Sequence, residues 1–173
     1  GPDSYLLEEV EQIAVGDVDG DGTSDVLAAG PFGISTLLNA GDGKLIVAAS
    51  TSLHRIDTLV LTDFDGDRAL DILAVSPREQ GVVLLTGFGD GALPLSERLV
   101  RLREDRPLVR PAMALADFSG DGALDLAVSD YGYDPARSAP DARGGLYVLQ
   151  KAPDGGFAPP ERYLVGRQVE SLV

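Results

Sequence analysis

Short apolar runs alternate along this chain with polar, glycine-rich stretches, and the same order of runs returns three times. Ile13-Ala-Val15 and Val26-Leu-Ala28 flank the first polar stretch. Leu59-Val-Leu61 and Ile72-Leu-Ala-Val75 flank the second, and Met113-Ala-Leu115 and Leu126-Ala-Val128 the third. Runs this short, rich in Val, Ile and Leu and bounded by Asp and Gly, predict strands. The first repeat reads as strands over 11–15, 26–29, 34–38 and 45–49, after a short strand at Tyr5-Leu-Leu7. The second reads as 59–62, 72–75, 82–86 and 99–102, and the third as 112–116, 126–129, 146–150 and 163–165. The early strands of each repeat are apolar nearly throughout, the pattern of a sheet covered on both faces. A repeat of this size cannot bury its faces alone and needs neighbours of its own kind.

The polar stretches carry the chemistry. They read Asp17-Val-Asp19-Gly20-Asp21-Gly22-Thr23-Ser-Asp25, Asp63-Phe-Asp65-Gly66-Asp67-Arg68-Ala69-Leu-Asp71 and Asp117-Phe-Ser119-Gly120-Asp121-Gly122-Ala123-Leu-Asp125. Carboxylates at the first, third, fifth and ninth places suit a hard cation, because calcium takes six to eight oxygens at about 2.3–2.6 Å. Glycine at the fourth and sixth places lets the backbone turn between them. The seventh place, Thr23, Ala69 or Ala123, is expected to offer its backbone carbonyl. A plain Asp/Gly turn explains the residue types but not the charge, since three or four carboxylates in nine residues repel one another without a counter-ion. Two departures stand out: Arg68 replaces the sixth-place glycine, and Ser119 replaces a carboxylate. An EF-hand is excluded, because its twelfth place needs a bidentate Glu between helices and these loops put Ala28, Ala74 and Val128 there.

Together, hydrophobics, D-x-D-G-D-G-x-x-D, hydrophobics and a second turn such as Asn39-Ala-Gly41-Asp42-Gly43 resemble the FG-GAP/VCBS repeat of integrin-alpha-type β-propellers. The resemblance covers nearly the whole chain. It implies an all-β fold of three four-stranded antiparallel propeller blades, part of a larger or oligomer-completed propeller. It also implies up to three Ca2+ ions in the loops between first and second strands. By position the ligands would be Asp17, Asp19, Asp21, Thr23 and Asp25, then Asp63, Asp65, Asp67, Ala69 and Asp71, then Asp117, Ser119, Asp121, Ala123 and Asp125. Repeats are expected at about 10–55, 56–108 and 109–165, with 166–173 opening a further one. Residues 1–4, beginning Gly1-Pro2 without an initiator Met, read as a tail left by a protease.

Charge adjusts this picture. The formal charge of −14 includes 11 of the 28 acidic residues in the three loops, and three bound dications would bring it to −8. Such acidity argues against nucleic acid or an anionic membrane as partner. No apolar run approaches the roughly 18 residues of a membrane-spanning helix. Absent cysteine removes disulfides and thiol chemistry. Loops of this type fill where calcium is plentiful, so an extracellular or periplasmic setting is expected.

The calcium loops should share one end of the sheets with the Gly-Asp-Gly turns. The opposite end carries the longest loop, 130–145, next to the connection 103–110. Five of the 14 basic residues fall between Arg98 and Arg110. Arg106, Arg110, Tyr131, Tyr133, Arg137 and Arg143 are the candidate patch for an anionic partner or a sugar. The bland reading is a Pro/Ala/Gly-rich insertion with arginines along a strand edge. Catalysis is not expected, since the single histidine, His54, lies in a blade-to-blade connection without a nucleophile elbow, P-loop or cysteine. The functional expectation is a calcium-binding, non-enzymatic scaffold for extracellular protein or carbohydrate recognition. Alternatives are a sugar-binding lectin propeller, a non-catalytic segment of a larger secreted enzyme, and an excised or designed fragment that self-assembles. Open blade faces make self-association an expected partner mode.

Overall fold

A computed structural model describes residues 9–51, 55–87, 89–92, 98–104, 107–132 and 144–164. Twelve strands are present among them and no helix. The first four are β1 (Gln12–Gly16), β2 (Asp25–Gly30), β3 (Gly33–Asn39) and β4 (Leu45–Thr51). The next four are β5 (Thr58–Thr62), β6 (Asp71–Ser76), β7 (Gly81–Leu85) and β8 (Arg98–Arg101). The last are β9 (Met113–Ala116), β10 (Asp125–Asp130), β11 (Gly145–Leu149) and β12 (Glu161–Tyr163). They form three four-stranded sheets, each ordered as its strands occur in sequence. This is the meander of a propeller blade, produced by short connections between antiparallel neighbours.

Register follows the side-chain pattern. In the first sheet Val15 lies opposite Val26, Val26 opposite Leu37 and Leu37 opposite Val47, an apolar ladder across all four strands. The pairing of β3 with β4 shifts between Thr36 and Leu37, which admits one extra residue on β4. Expected and observed strands agree to within a residue or two, apart from the expected strand at Tyr5-Leu-Leu7, which lies outside the described residues. The outer strand of the third sheet is the largest difference, at Glu161–Tyr163 instead of 163–165. It begins immediately after Pro160 and pairs through its backbone with β11, all three residues exposed. An edge strand needs no apolar face, so hydrophobicity misplaced it.

The chain divides into two units, one running up to Ala74 with Val83–Arg98, the other Val75–Val82 with everything from Leu99. In the first, Leu27, Ile34, Phe64 and Leu73 are fully buried. There β1 lies beside β5, with Leu61 and Leu70 against Gly16. A Cβ on Gly16 would meet Leu70 Cδ1 at 2.6 Å and Leu61 Cδ1 at 3.2 Å, so glycine permits that approach. The Gly91 amide donates to the Val18 carbonyl at 3.1 Å, laying the second turn of repeat two over the acidic loop of repeat one. In the second unit, Leu126, Val128, Tyr147 and Leu149 form the buried centre of the third sheet. No described helix is long and apolar enough to cross a membrane.

Candidate metal centre

Each acidic loop joins the first two strands of its sheet, and its residues fall into two groups. The first-place aspartates organise the turn. Asp17 accepts the amides of Gly20 (2.8 Å) and Gly22 (3.0 Å), and Asp63 those of Gly66 (2.7 Å) and Arg68 (3.1 Å). Asp117 accepts from Gly120, Asp121 and Gly122. The Gly122 amide is the main reason its carboxyl lies below the ordinary value. Third- and fifth-place carboxylates take the amide two residues on, as Asp19 does from Asp21 and Asp21 from Thr23. The Thr23 hydroxyl faces both Asp21 Oδ1 and the Asn39 carbonyl, and it holds the exposed Asp21 carboxyl low.

The turns need left-handed backbone at the fourth and sixth places. Gly20, Gly22, Gly66, Gly120 and Gly122 supply it, and at the sixth place of loop two Arg68 adopts φ 78°. An L-residue with a Cβ is strained there.

The ninth-place aspartates behave differently. Asp25, Asp71 and Asp125 have no solvent exposure, although each begins a strand. Asp25 Oδ2 accepts the Val18 amide at 2.9 Å and Oδ1 the Asn39 amide at 2.8 Å. Asp71 takes the amides of Phe64 and Asp65 on Oδ2 and that of Gly87 on Oδ1. Asp125 takes Phe118 and Ser119 on Oδ2 and Lys151 on Oδ1. One oxygen thus holds the metal loop and the other holds the start of the third-to-fourth-strand turn. The sequence pointed to a closing ligand at this place. The amide clamp was missed, and its signal was the coincidence in every repeat of a buried-strand Asp with a second turn.

Two groups of carboxylates converge closely enough to hold an ion. Oxygens of Asp17, Asp19 and Asp21 lie within 4.8 Å of one another, as do those of Asp63, Asp65 and Asp71. The first group omits Asp25 and the second omits Asp67. Among the described residues, the third loop brings no three acidic groups together at this spacing. Converging hard oxygens at the mouth of a tight turn fit a hard dication.

Burial pushes the Asp71 carboxyl above the ordinary value, and the neighbouring Asp65 charge adds to it; amides of Gly87, Phe64 and Asp65 offset only part. Burial also pushes Asp125 upward, yet the Lys151 and Ser119 amides, the Ser119 hydroxyl and the Phe118 amide outweigh it, leaving that carboxyl low.

With this geometry in place, a family model for the FG-GAP-like repeat matches residues 17–74. The matched residues, about a third of the chain, are similar to that repeat. The match begins at the first aspartate of loop one and ends four residues into strand β6, so it contains both convergent carboxylate groups. No curated relative matches the sequence. Among solved structures, an Agrocybe aegerita lectin that recognises non-reducing terminal N-acetylglucosamine aligns with a TM-score of 0.57 and 21% identity. The alignment covers 87% of this chain and 37% of the lectin chain. A Photorhabdus luminescens Tc holotoxin pore aligns with a TM-score of 0.50 and 20% identity, over 89% of this chain and 7% of that one. At these identities the likeness is one of fold, and the chain spans only part of the length of each structure.

At the other end of the third sheet, the connection 103–110 and the start of the long loop do meet. Asp130, fully buried, accepts the Val109 amide at 2.9 Å and pairs with the Arg103 guanidinium, which is itself nearly buried. The Tyr131 amide donates to the Val109 carbonyl, and the Arg110 guanidinium stands 5.8 Å from the Tyr131 ring centre. Arg110 and Tyr131 of the candidate patch are therefore brought together. Arg106, Tyr133, Arg137, Arg143 and His54 lie outside the described residues. The Arg103–Asp130 pair was not singled out from sequence; a charged residue at each end of facing connections was its only trace.

Proposed function

We propose that this chain is a calcium-stabilised, non-enzymatic β-propeller scaffold acting outside the cytoplasm in protein or carbohydrate recognition. The observation carrying the reading is the convergence of Asp17, Asp19 and Asp21 inside a matched FG-GAP-like repeat. Asp17, Asp19 and Asp21 would hold one ion, and Asp63, Asp65 and Asp71 a second. Bound there, calcium neutralises carboxylates that otherwise repel, and it stabilises the folded state by mass action. The Ser119 loop fits an ion least well, having one carboxylate fewer.

Titration calorimetry with calcium, beside melting curves in calcium and in chelator, tests this. Binding with a raised melting temperature, both reduced in Asp19→Ala and lost when Asp65→Ala is added, is the expected result. A wild-type protein indifferent to calcium would defeat the reading.

Sugar binding is a second reading, supported by the shared fold with the fungal lectin and by the Arg110–Tyr131 pair, a flat ring beside a guanidinium. A glycan array is the direct test, with Tyr131→Ala expected to lower any signal found. Because the chain spans only 37% and 7% of the two structures it resembles, a role as one part of a larger secreted protein is equally compatible.

A further inference from the structure

The two convergent carboxylate groups lie in loops one and two, and both loops belong to the first unit. Two lines of contact join them. At the eighth place of loop two, Leu70 lies against Gly16, the residue before Asp17; a Cβ on Gly16 would stand 2.6 Å from Leu70 Cδ1. The second line runs through the turn that follows β7. Asp71 Oδ1 accepts the Gly87 amide at 2.8 Å, and Ala69 Cβ lies 3.8 and 3.7 Å from where a Cβ on Gly87 or Gly89 would stand. Further along that turn, the Gly91 amide reaches the Val18 carbonyl at 3.1 Å. A Cβ on Gly91 would stand 2.8 Å from Leu38 Cδ2 and 3.3 Å from Asp19 Cβ, so Gly91 is seated on the third place of loop one.

The seventh, eighth and ninth places of loop two therefore bear on the residues that bracket Asp17 and Asp19. Asp71 is the shared element, since it converges with Asp63 and Asp65 and also anchors the turn. Repulsion among the carboxylates favours spreading of each loop, and a cation that draws Asp63, Asp65 and Asp71 together fixes Leu70 and the start of the turn as well. Both contacts on loop one are then ordered before its own ion arrives. Less conformational freedom is lost when an ion enters a loop already ordered, which is positive cooperativity. Linkage makes the effect equal in either direction.

We infer that the cation sites of loops one and two fill cooperatively, coupled through Leu70 and the turn that carries Gly87 and Gly91. Coupling of this kind rests on the calcium reading and adds regulation to it. The first two repeats respond to calcium together, over a narrower range of concentration than two separate sites.

Calcium titration calorimetry tests it, with Asp121→Ala in every sample to remove the third loop. Asp65→Ala leaves loop one to bind alone, and Asp19→Ala leaves loop two. With both loops intact, the second ion should bind about tenfold more tightly than these single-loop variants foretell, within the range typical of coupled sites. Leu70→Ala and Gly91→Ala remove no carboxylate. Measured against its own single-loop variants, each should keep two binding events and lose that gain. Gly91 has φ 73°, where a Cβ is strained, so Leu70→Ala carries the test should Gly91→Ala misfold. Hydrogen exchange gives a second readout: in Asp19→Ala, calcium should slow exchange of the Gly91 amide even though loop one has lost a ligand. Two events that add as independent sites overturn the inference. So does a gain that survives both Leu70→Ala and Gly91→Ala, or Gly91 exchange indifferent to calcium. Binding at both loops without coupling sinks this inference alone, whereas no binding at either loop sinks the calcium reading with it.

Discussion

The second and third acidic loops share a backbone course and a buried ninth-place aspartate, but differ at the third place. Asp65 in the second loop sets its charge beside Asp71, and burial plus that like charge raise the Asp71 carboxyl. Ser119 in the third removes the charge, its hydroxyl donates to Asp117, and its amide is among those that leave the Asp125 carboxyl low. Burial is the larger part of the contrast: at Asp71 it exceeds what the amides offset, with the Asp65 charge adding a little, whereas at Asp125 the amides outweigh it. One motif thus has two parts: carboxylates that converge closely enough to hold an ion, and a ninth-place aspartate that clamps two turns through their amides.

The largest effect should come from breaking the clamp. Asp71→Ala leaves the amides of Phe64, Asp65 and Gly87 without their acceptor and should cost about 4 kcal/mol, at 1–3 kcal/mol for each buried unpaired group after some rescue by water. Urea denaturation should show this loss in chelator as well as in calcium; a loss confined to calcium would make Asp71 a ligand and nothing more. Asp19→Ala should do the reverse. It leaves stability in chelator nearly unchanged and removes the first loop's share of the calcium-dependent gain, about 2.7 kcal/mol for one site at a hundred times the dissociation constant.

Arg68→Gly should stabilise the protein by about 1 kcal/mol, because the sixth place of loop two has positive φ. No gain would mean that the Arg68 side chain makes good its backbone strain.

Smaller still is the difference in acid response, measured in chelator. Asp71 has a raised folded-state pKa, so its contribution is full at pH below the ordinary aspartate value and declines as pH rises through the window up to the raised value. Asp125 has a lowered one, so its contribution is present above the ordinary value and is lost as pH falls toward the folded-state pKa. Ser119→Asp should move the third loop toward the second, reducing the acid-side loss and adding a calcium response. Unchanged acid and calcium responses in this variant would show that the third place does not set the contrast.

The repeat architecture was legible because apolar runs and acidic turns recur in register, with glycine at most of the places where the turn needs left-handed backbone. Both candidate ion groups lie within loops marked by the sequence. What could not be read was which carboxylates converge: Asp25 and Asp67 occupy motif positions yet stand outside the clusters. The edge strand β12 and the Arg103–Asp130 pair escaped as well. Each is fixed by partners distant in sequence, and polar residues in connections carry no periodic signal.

The double grip of the ninth-place aspartate also bears on how such a repeat tolerates change over time. Because Asp125 joins its two turns through amides alone, the third loop can replace a carboxylate by Ser119 while its four strands stay paired. A blade held in this way can drift away from its ion one residue at a time. Its exposed loop is then open to acquire another use while the sheet beneath it stays the same.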